Sequence, residues 1–201
     1  MFHGLKLGLA AAILFVNAAV PANAQKFSDS YSLLEAVKKR DGAKAEALLG
    51  GRATTIINTK DMSTGDGALH IVARERDRSW LGFLLSKGAR PDIQNKDGET
   101  PLGIAAQLGW VDGADILLRV GAAVNLANRN GETPLIMAVQ RRDVPMVRLL
   151  LSKGADPKRT DNVAGYSALY YAKQDKRATA VLKLLEAPPA KPERPVAGPK
   201  L

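Results

Sequence analysis

Two near-identical hexads, Asp97-Gly98-Glu99-Thr100-Pro101-Leu102 and Asn130-Gly131-Glu132-Thr133-Pro134-Leu135, stand 33 residues apart. Fifteen residues after the leucine of each comes a second landmark, Leu117-Leu118-Arg119-Val120-Gly121-Ala122 and Leu150-Leu151-Ser152-Lys153-Gly154-Ala155. Looser copies flank them: Gly65-Asp66-Gly67-Ala68-Leu69-His70 with Leu84-Leu85, and Gly165-Tyr166-Ser167-Ala168-Leu169 with Leu184-Leu185. A degenerate upstream copy keeps the same interval from Leu33 to Leu48. Self-similarity at this period means one supersecondary unit repeated, with neighbours stacked into a continuous core because no unit can bury its apolar face alone.

Each unit reads as two short helices and a polar return. Thr100 is a good N-cap, and Pro101 fits the first helical position, where a missing N–H costs nothing. Leu102, Ile104, Ala105 and Ala106 form an apolar inner helix, which Gly109 ends in the left-handed conformation. From Val111 to Val120, Val111, Ala114, Leu117 and Leu118 share one helical face, and Gly121 ends that helix similarly. Pro145 falls in the first turn of an outer helix capped by Asp143, where proline is tolerated.

These residues resemble the ankyrin repeat. Its pattern of Asp-Gly-x-Thr-Pro-Leu-His followed by Leu-Leu-x-x-Gly-Ala-Asp is met in Asp97 to Leu102 with Leu117 to Ala122, and in Gly131 to Leu135 with Leu150 to Asp156. The resemblance covers about residues 27–186. It implies an all-α solenoid of stacked helix-turn-helix units with hairpin-like loops, in about five repeats with degenerate ends: 27–60, 61–94, 95–127, 128–161 and 162–186. In the pattern's histidine slot stand His70, Gly103, Ile136 and Tyr170. The resemblance gives His70 a structural role, a hydrogen bond between neighbouring repeats. The inner-helix-ending glycine is Gly109 in one repeat but Arg76 and Arg142 in others, each expected to cost about 1 kcal/mol in a left-handed position.

Residues 1–24 read as a cleavable export signal. Lys6 supplies the basic start, Leu7 to Val16 the apolar run, and Ala22-Asn23-Ala24 the cleavage site before Gln25. The apolar run is too short to span about 30 Å of hydrocarbon, so no stable membrane insertion is expected after cleavage. The resulting location is the periplasm, with secretion as the alternative. Residues 27–60 read as a capping repeat, with Lys38-Lys39-Arg40 on its solvated end and an enlarged loop between Gly50 and Asp61. Residues 187–201 hold five prolines, two lysines and an arginine and read as a disordered, solubilising tail, with no clear PxxP motif set beside an aromatic partner.

The sequence has no cysteine and two histidines, one of them, His3, in the signal. That leaves no cysteine nucleophile, no spare histidine for a triad and no multi-histidine metal site, and no catalytic group or cofactor is expected. The net charge is +9, and Gln140 to Arg177 holds nine Lys/Arg against four Asp. Such a balance favours an acidic partner or simply keeps the stack soluble; no nucleic-acid-binding motif accompanies it. The expectation is a module, monomeric when free, that binds another protein. It would act as a scaffolding or protective accessory, or alternatively as an inhibitor or immunity protein.

The resemblance also implies where: the turn tips and exposed inner-helix side form a concave surface. Mapped onto this sequence, that surface carries Thr64, Asp66, Arg74 and Glu75, then Lys96, Glu99, Gln107 and Leu108. Arg129, Glu132, Gln140 and Arg141 follow, and then Tyr166 and Gln174. Leu108 and Tyr166 are either partner anchors or packing residues between repeats.

Overall fold

Five antiparallel helix pairs follow one another in a computed structural model that describes residues 22–50 and 56–187. The pairs are α1 (Ala22–Lys38) with α2 (Gly42–Leu49), α3 (Ala68–Arg74) with α4 (Arg78–Ser86), and α5 (Pro101–Leu108) with α6 (Val111–Arg119). Next come α7 (Pro134–Gln140) with α8 (Val144–Ser152), and α9 (Ala168–Gln174) with α10 (Thr179–Glu186). Inner helices stack in the order α1, α3, α5, α7, α9, and the outer helices α4, α6, α8 and α10 stack beside them. The backbone is helical from Ala22, across the expected boundary at residue 24. Most of the expected signal, part of the expected enlarged loop (51–55) and the tail from residue 188 lie outside the described residues. Among the described residues no helix is long and apolar enough to cross a membrane.

The helix starts follow from local chemistry. Thr100, Thr133 and Ser167 cap the inner helices α5, α7 and α9, their hydroxyls accepting from the N–H groups of Gly103, Ile136 and Tyr170 at 3.0, 3.3 and 3.2 Å. Asp41, Asp77 and Asp143 do the same for outer helices, accepting from Lys44, Trp80 and Met146. The outer helix α6 departs from this pattern. Trp110 takes the aspartate's place, provides no side-chain cap, and packs its buried ring where a Cβ on Gly113 would lie 2.2 Å away. The cap is exchanged for aromatic burial.

Between the helix pairs, the turn tips interlock through one backbone hydrogen bond per junction. Lys96 N–H donates to the Thr64 carbonyl at 3.0 Å, Arg129 to Asp97 at 2.9 Å, and Asn162 to Asn130 at 2.7 Å. The two central tips are held from within by Asn95 and Asn128, whose Oδ1 atoms accept from the Glu99 and Glu132 N–H groups at 2.9 Å. The outer two are one residue longer and use aspartate instead. Asp61 accepts from Ser63 and Thr64, and these bonds, the Ser63 hydroxyl first, hold its carboxyl well below the usual range. Asp161 accepts from Val163, Ala164 and Gly165; burial opposes its charge, but these N–H groups and the Tyr171 hydroxyl bring its pKa below the ordinary value.

The left-handed arginines carry contacts that their sequence positions did not announce. Arg76 and Arg142 do have positive φ, 53° and 59°, and Arg40 joins them at 59°. Each reaches into a following repeat. Arg40 pairs with Glu75 at 2.6 Å and with Asp77, Arg76 donates to the Leu108 carbonyl at 2.6 Å, and Arg142 pairs with Asp175 at 2.6 Å. The strain of about 1 kcal/mol at each site is thus set against a bond between repeats. Arg40 is not a free end-cap cation.

His70 is fully buried at the α3–α5 junction. Its Nδ1 accepts from Gly67 N–H at 3.0 Å and its Nε2 lies 2.9 Å from the Glu99 carbonyl. One nitrogen must accept and the other donate, which requires the neutral Nε2–H tautomer. Burial pushes its pKa below the ordinary value, opposed by the Glu99 carbonyl and by Asp66. For a base with a depressed folded-state pKa, stability is complete above about 6.5 and is lost as pH falls below that value. Denaturant midpoints are therefore expected to fall between neutral pH and about pH 5, and His70→Gln, which can accept and donate at the same site, is expected to flatten that fall. Equal slopes in the two proteins would contradict the neutral assignment.

Candidate functional site

The inner-helix periodicity sets equivalent residues side by side at 33- or 34-residue intervals. One row is Asp66, Glu99, Glu132 and Tyr166, the tip residues; the next is Arg74, Gln107, Gln140 and Gln174, at the ends of the inner helices. Of the fourteen residues expected on this face, six line one cleft of about 510 Å³ across the third and fourth repeats: Glu99, Gln107, Arg129, Glu132, Gln140 and Arg141. Asp97, Asn128, Asn130 and Met137 complete its walls. Those four escaped the sequence reading, although the recurrence of Asn at 95 and 128 was a visible signal.

The second-repeat residues are engaged within the stack. Arg74 pairs with Glu99 at 2.7 Å and Asp66 at 3.4 Å, Asn95 donates to both those carboxylates, and Glu75 pairs with Arg40. Lys96 donates to the Met62 carbonyl at 2.7 Å, and Thr64 accepts from Asp66 N–H at 3.1 Å. Across the cleft the pattern changes. Glu132 accepts from Asn128 Nδ2 at 2.9 Å, but among the described residues no carboxylate pairs with the exposed guanidinium of Arg129 or Arg141. Two exposed guanidiniums beside two glutamine amides can receive carboxylates or carbonyls from another chain.

The family profile for ankyrin repeats matches three times, over residues 33–126, 69–161 and 121–194. The chain belongs to the ankyrin-repeat family. Ankyrin repeats generally mediate protein–protein interaction, and their tips and inner-helix ends are where this chain gathers its open polar side chains. Among the described residues no cluster of three His, Asp or Glu side chains could hold a metal ion.

In the ankyrin stack the two anchor candidates separate. Leu108 is half-buried with its side chain packed against the core, and its backbone carbonyl accepts from Arg76. Tyr166 is 39% exposed and sits against Tyr170, itself 40% exposed, with ring centroids 4.2 Å apart. Tyr171 closes the group edge-on to Tyr166 at 5.6 Å and donates its hydroxyl to Asp161 at 2.7 Å. Gln174 is exposed at the end of α9. Tyr170 and Tyr171 were not among the expected site residues, though the run Tyr166, Tyr170, Tyr171 was apparent in the sequence.

Proposed function

We propose that this protein is an exported, non-enzymatic binding module that captures another protein across the cleft between its third and fourth repeats. The observation that carries the reading is the unpaired state of Arg129 and Arg141 in a wall where the neighbouring Glu99 is already neutralised by Arg74. The partner segment is acidic where it meets these two guanidiniums. Asp97, exposed on the same wall, favours a segment that also carries a cation. The basic balance of the fourth and fifth repeats would speed its approach.

Export is part of the proposal and rests on the basic start, apolar run and Ala22-Asn23-Ala24 of the N-terminal segment. The native protein is expected to begin at Gln25 and to fractionate with soluble periplasmic contents. N-terminal sequencing that finds Met1 in the membrane fraction would overturn it.

The binding test starts from a partner recovered from periplasmic extract and identified by mass spectrometry. Arg129→Glu combined with Arg141→Glu is expected to weaken its capture by about tenfold or more, with the loss reduced at high salt. Neither side chain makes an ion pair with another described residue, so the melting temperature should stay within a few degrees. Lys183→Glu, exposed on α10, is the control and should bind as the wild type does. Normal binding by the double variant with loss in the control would place the partner on the outer helices.

A further inference from the structure

The junction of the second and third repeats holds a complete cation site. Arg74 Nη2 donates to Glu99 Oε2 at 2.7 Å and lies 3.4 Å from Asp66 Oδ1, so its guanidinium bridges carboxylates from two successive tips. Asn95 Nδ2 braces the same two oxygens, at 2.8 Å to Asp66 Oδ1 and 2.9 Å to Glu99 Oε2. The next junction keeps the acceptors and omits the cation. Counted 33 residues on, Asp66, Asn95 and Glu99 become Glu99, Asn128 and Glu132, whereas Arg74 becomes Gln107. Asn128 Nδ2 again donates to Glu132 Oε2 at 2.9 Å, so this carboxylate is held as that of Glu99 is. Glu99 already serves Arg74, and among the described residues no lysine or arginine lies within ion-pair distance of Glu132. Gln107 is exposed, shorter than arginine and uncharged, and it lines the cleft of about 510 Å³ together with Glu99 and Glu132. One step further the series ends, because Tyr166 stands where a carboxylate would.

We propose that Glu132, with the Gln107 amide in the same cleft, receives an arginine side chain of the partner, which takes the place that Arg74 takes one repeat earlier. The inference rests on the reading of this cleft as a protein-binding site, and it names a residue that the partner carries. Glu132 is half-buried, so a charge-assisted bond to it is formed partly shielded from water, where attraction exceeds its value in bulk. A guanidinium suits the place better than an ammonium. Its planar fork can bond acceptors on two tips at once, as Arg74 does, whereas a lysine brings one strongly hydrated point charge. The arginine also sets specificity. A purely acidic segment drawn to Arg129 and Arg141 would meet the like charges of Asp97 and Glu132 on the same walls, and is selected against. A segment that sets an arginine beside its acidic groups satisfies both signs.

N-acetylarginine amide carries one guanidinium and no carboxylate. Titrated into isotope-labelled protein, it is expected to shift the amide signals of Gln107, Asn128 and Glu132 and to saturate in the millimolar range. The citrulline analogue, similar in shape but uncharged, should shift none of them, and the lysine analogue should bind about threefold more weakly. Glu132→Gln, whose amide oxygen can still accept from Asn128, should weaken binding of the arginine amide about tenfold. Gln107→Arg puts a guanidinium of the chain's own at the site, and should weaken binding as much while the melting temperature stays equal or rises. No shifts in the cleft, equal binding of the citrulline or lysine analogue, or unchanged affinity in either variant would overturn the proposal. Capture of the partner recovered from periplasmic extract separates this inference from the one beneath it. Loss of capture in the Arg129→Glu, Arg141→Glu variant with normal capture by Gln107→Arg would keep the cleft and overturn the arginine. Normal capture by both would overturn the cleft reading as well.

Discussion

Leu117→Ala is expected to destabilise the protein by about 2–5 kcal/mol, the range for truncating a fully buried leucine. Leu117 is 0% exposed on α6, which packs against α5 in its own repeat and against α4 and α8 on either side. Leu84 and Leu150 hold the equivalent places 33 residues before and after, also at 0%. The cavity would therefore open at a junction of three outer helices. Stability in a repeat stack is the sum of weak units and strong interfaces, so loss at a central interface uncouples the repeats on both sides. Denaturant unfolding followed by circular dichroism should show a lower midpoint and a broader transition. A change below about 0.5 kcal/mol, the size of ordinary surface substitutions, would mean that Leu117 is not where the stack places it.

What was legible in the sequence divides along one physical line. Thr100, Pro101 and Gly109 could be read because a cap, a first-turn proline and a left-handed stop act within a few residues of themselves. The stacked core could be read because leucines at a fixed interval impose it. The reach of Arg40, Arg76 and Arg142 could not, since their partners lie 32 to 37 residues away and differ each time: a carboxylate pair, a backbone carbonyl, and another carboxylate. Nothing local marks the role of Trp110, which displaces a cap and claims the space above Gly113. The row of tip and inner-helix-end residues follows from the repeat interval, but its charge state was not legible. Arg74 and Arg129 are the same type in the sequence; only the positions of Glu99, Asp66 and Asn95 make one occupied and the other open. For the same reason Arg129 and Arg141, and not Arg74, are the sound probes of binding. Reversing Arg74 would break bonds of the stack as well.

Gly131→Ala is expected to cost about 2–3 kcal/mol, and Gly154→Ala only about 1, although the two glycines share nearly the same backbone strain. Gly131 has φ +77° and Gly154 φ +84°, so an alanine at either place meets the same left-handed penalty. Their surroundings differ. Around Gly154 a Cβ would meet nothing within 4 Å, whereas at Gly131 it would stand 2.6 Å from the backbone nitrogen of Asn162. That nitrogen is the donor of the 2.7 Å bond to the Asn130 carbonyl which locks the fourth tip to the fifth. The nearest obstacle is main chain, so turning aside the Asn162 side chain, whose Cγ would also lie 2.7 Å away, does not clear it; the tips must part and the bond stretch or break. The excess of Gly131→Ala over Gly154→Ala thus isolates the worth of one tip-to-tip lock from the cost of the conformation. Fluorescence-monitored urea titrations of both variants would measure it, and Gly98→Ala, with Arg129 N at 2.8 Å, should behave like Gly131→Ala. Equal losses at Gly131 and Gly154 would mean that the tips are not in contact in solution. The consequence for binding is direct, because the cleft walls Asp97, Arg129 and Asn130 are carried on these tips. A protein whose tips have parted should lose partner capture at temperatures where its helices are still folded.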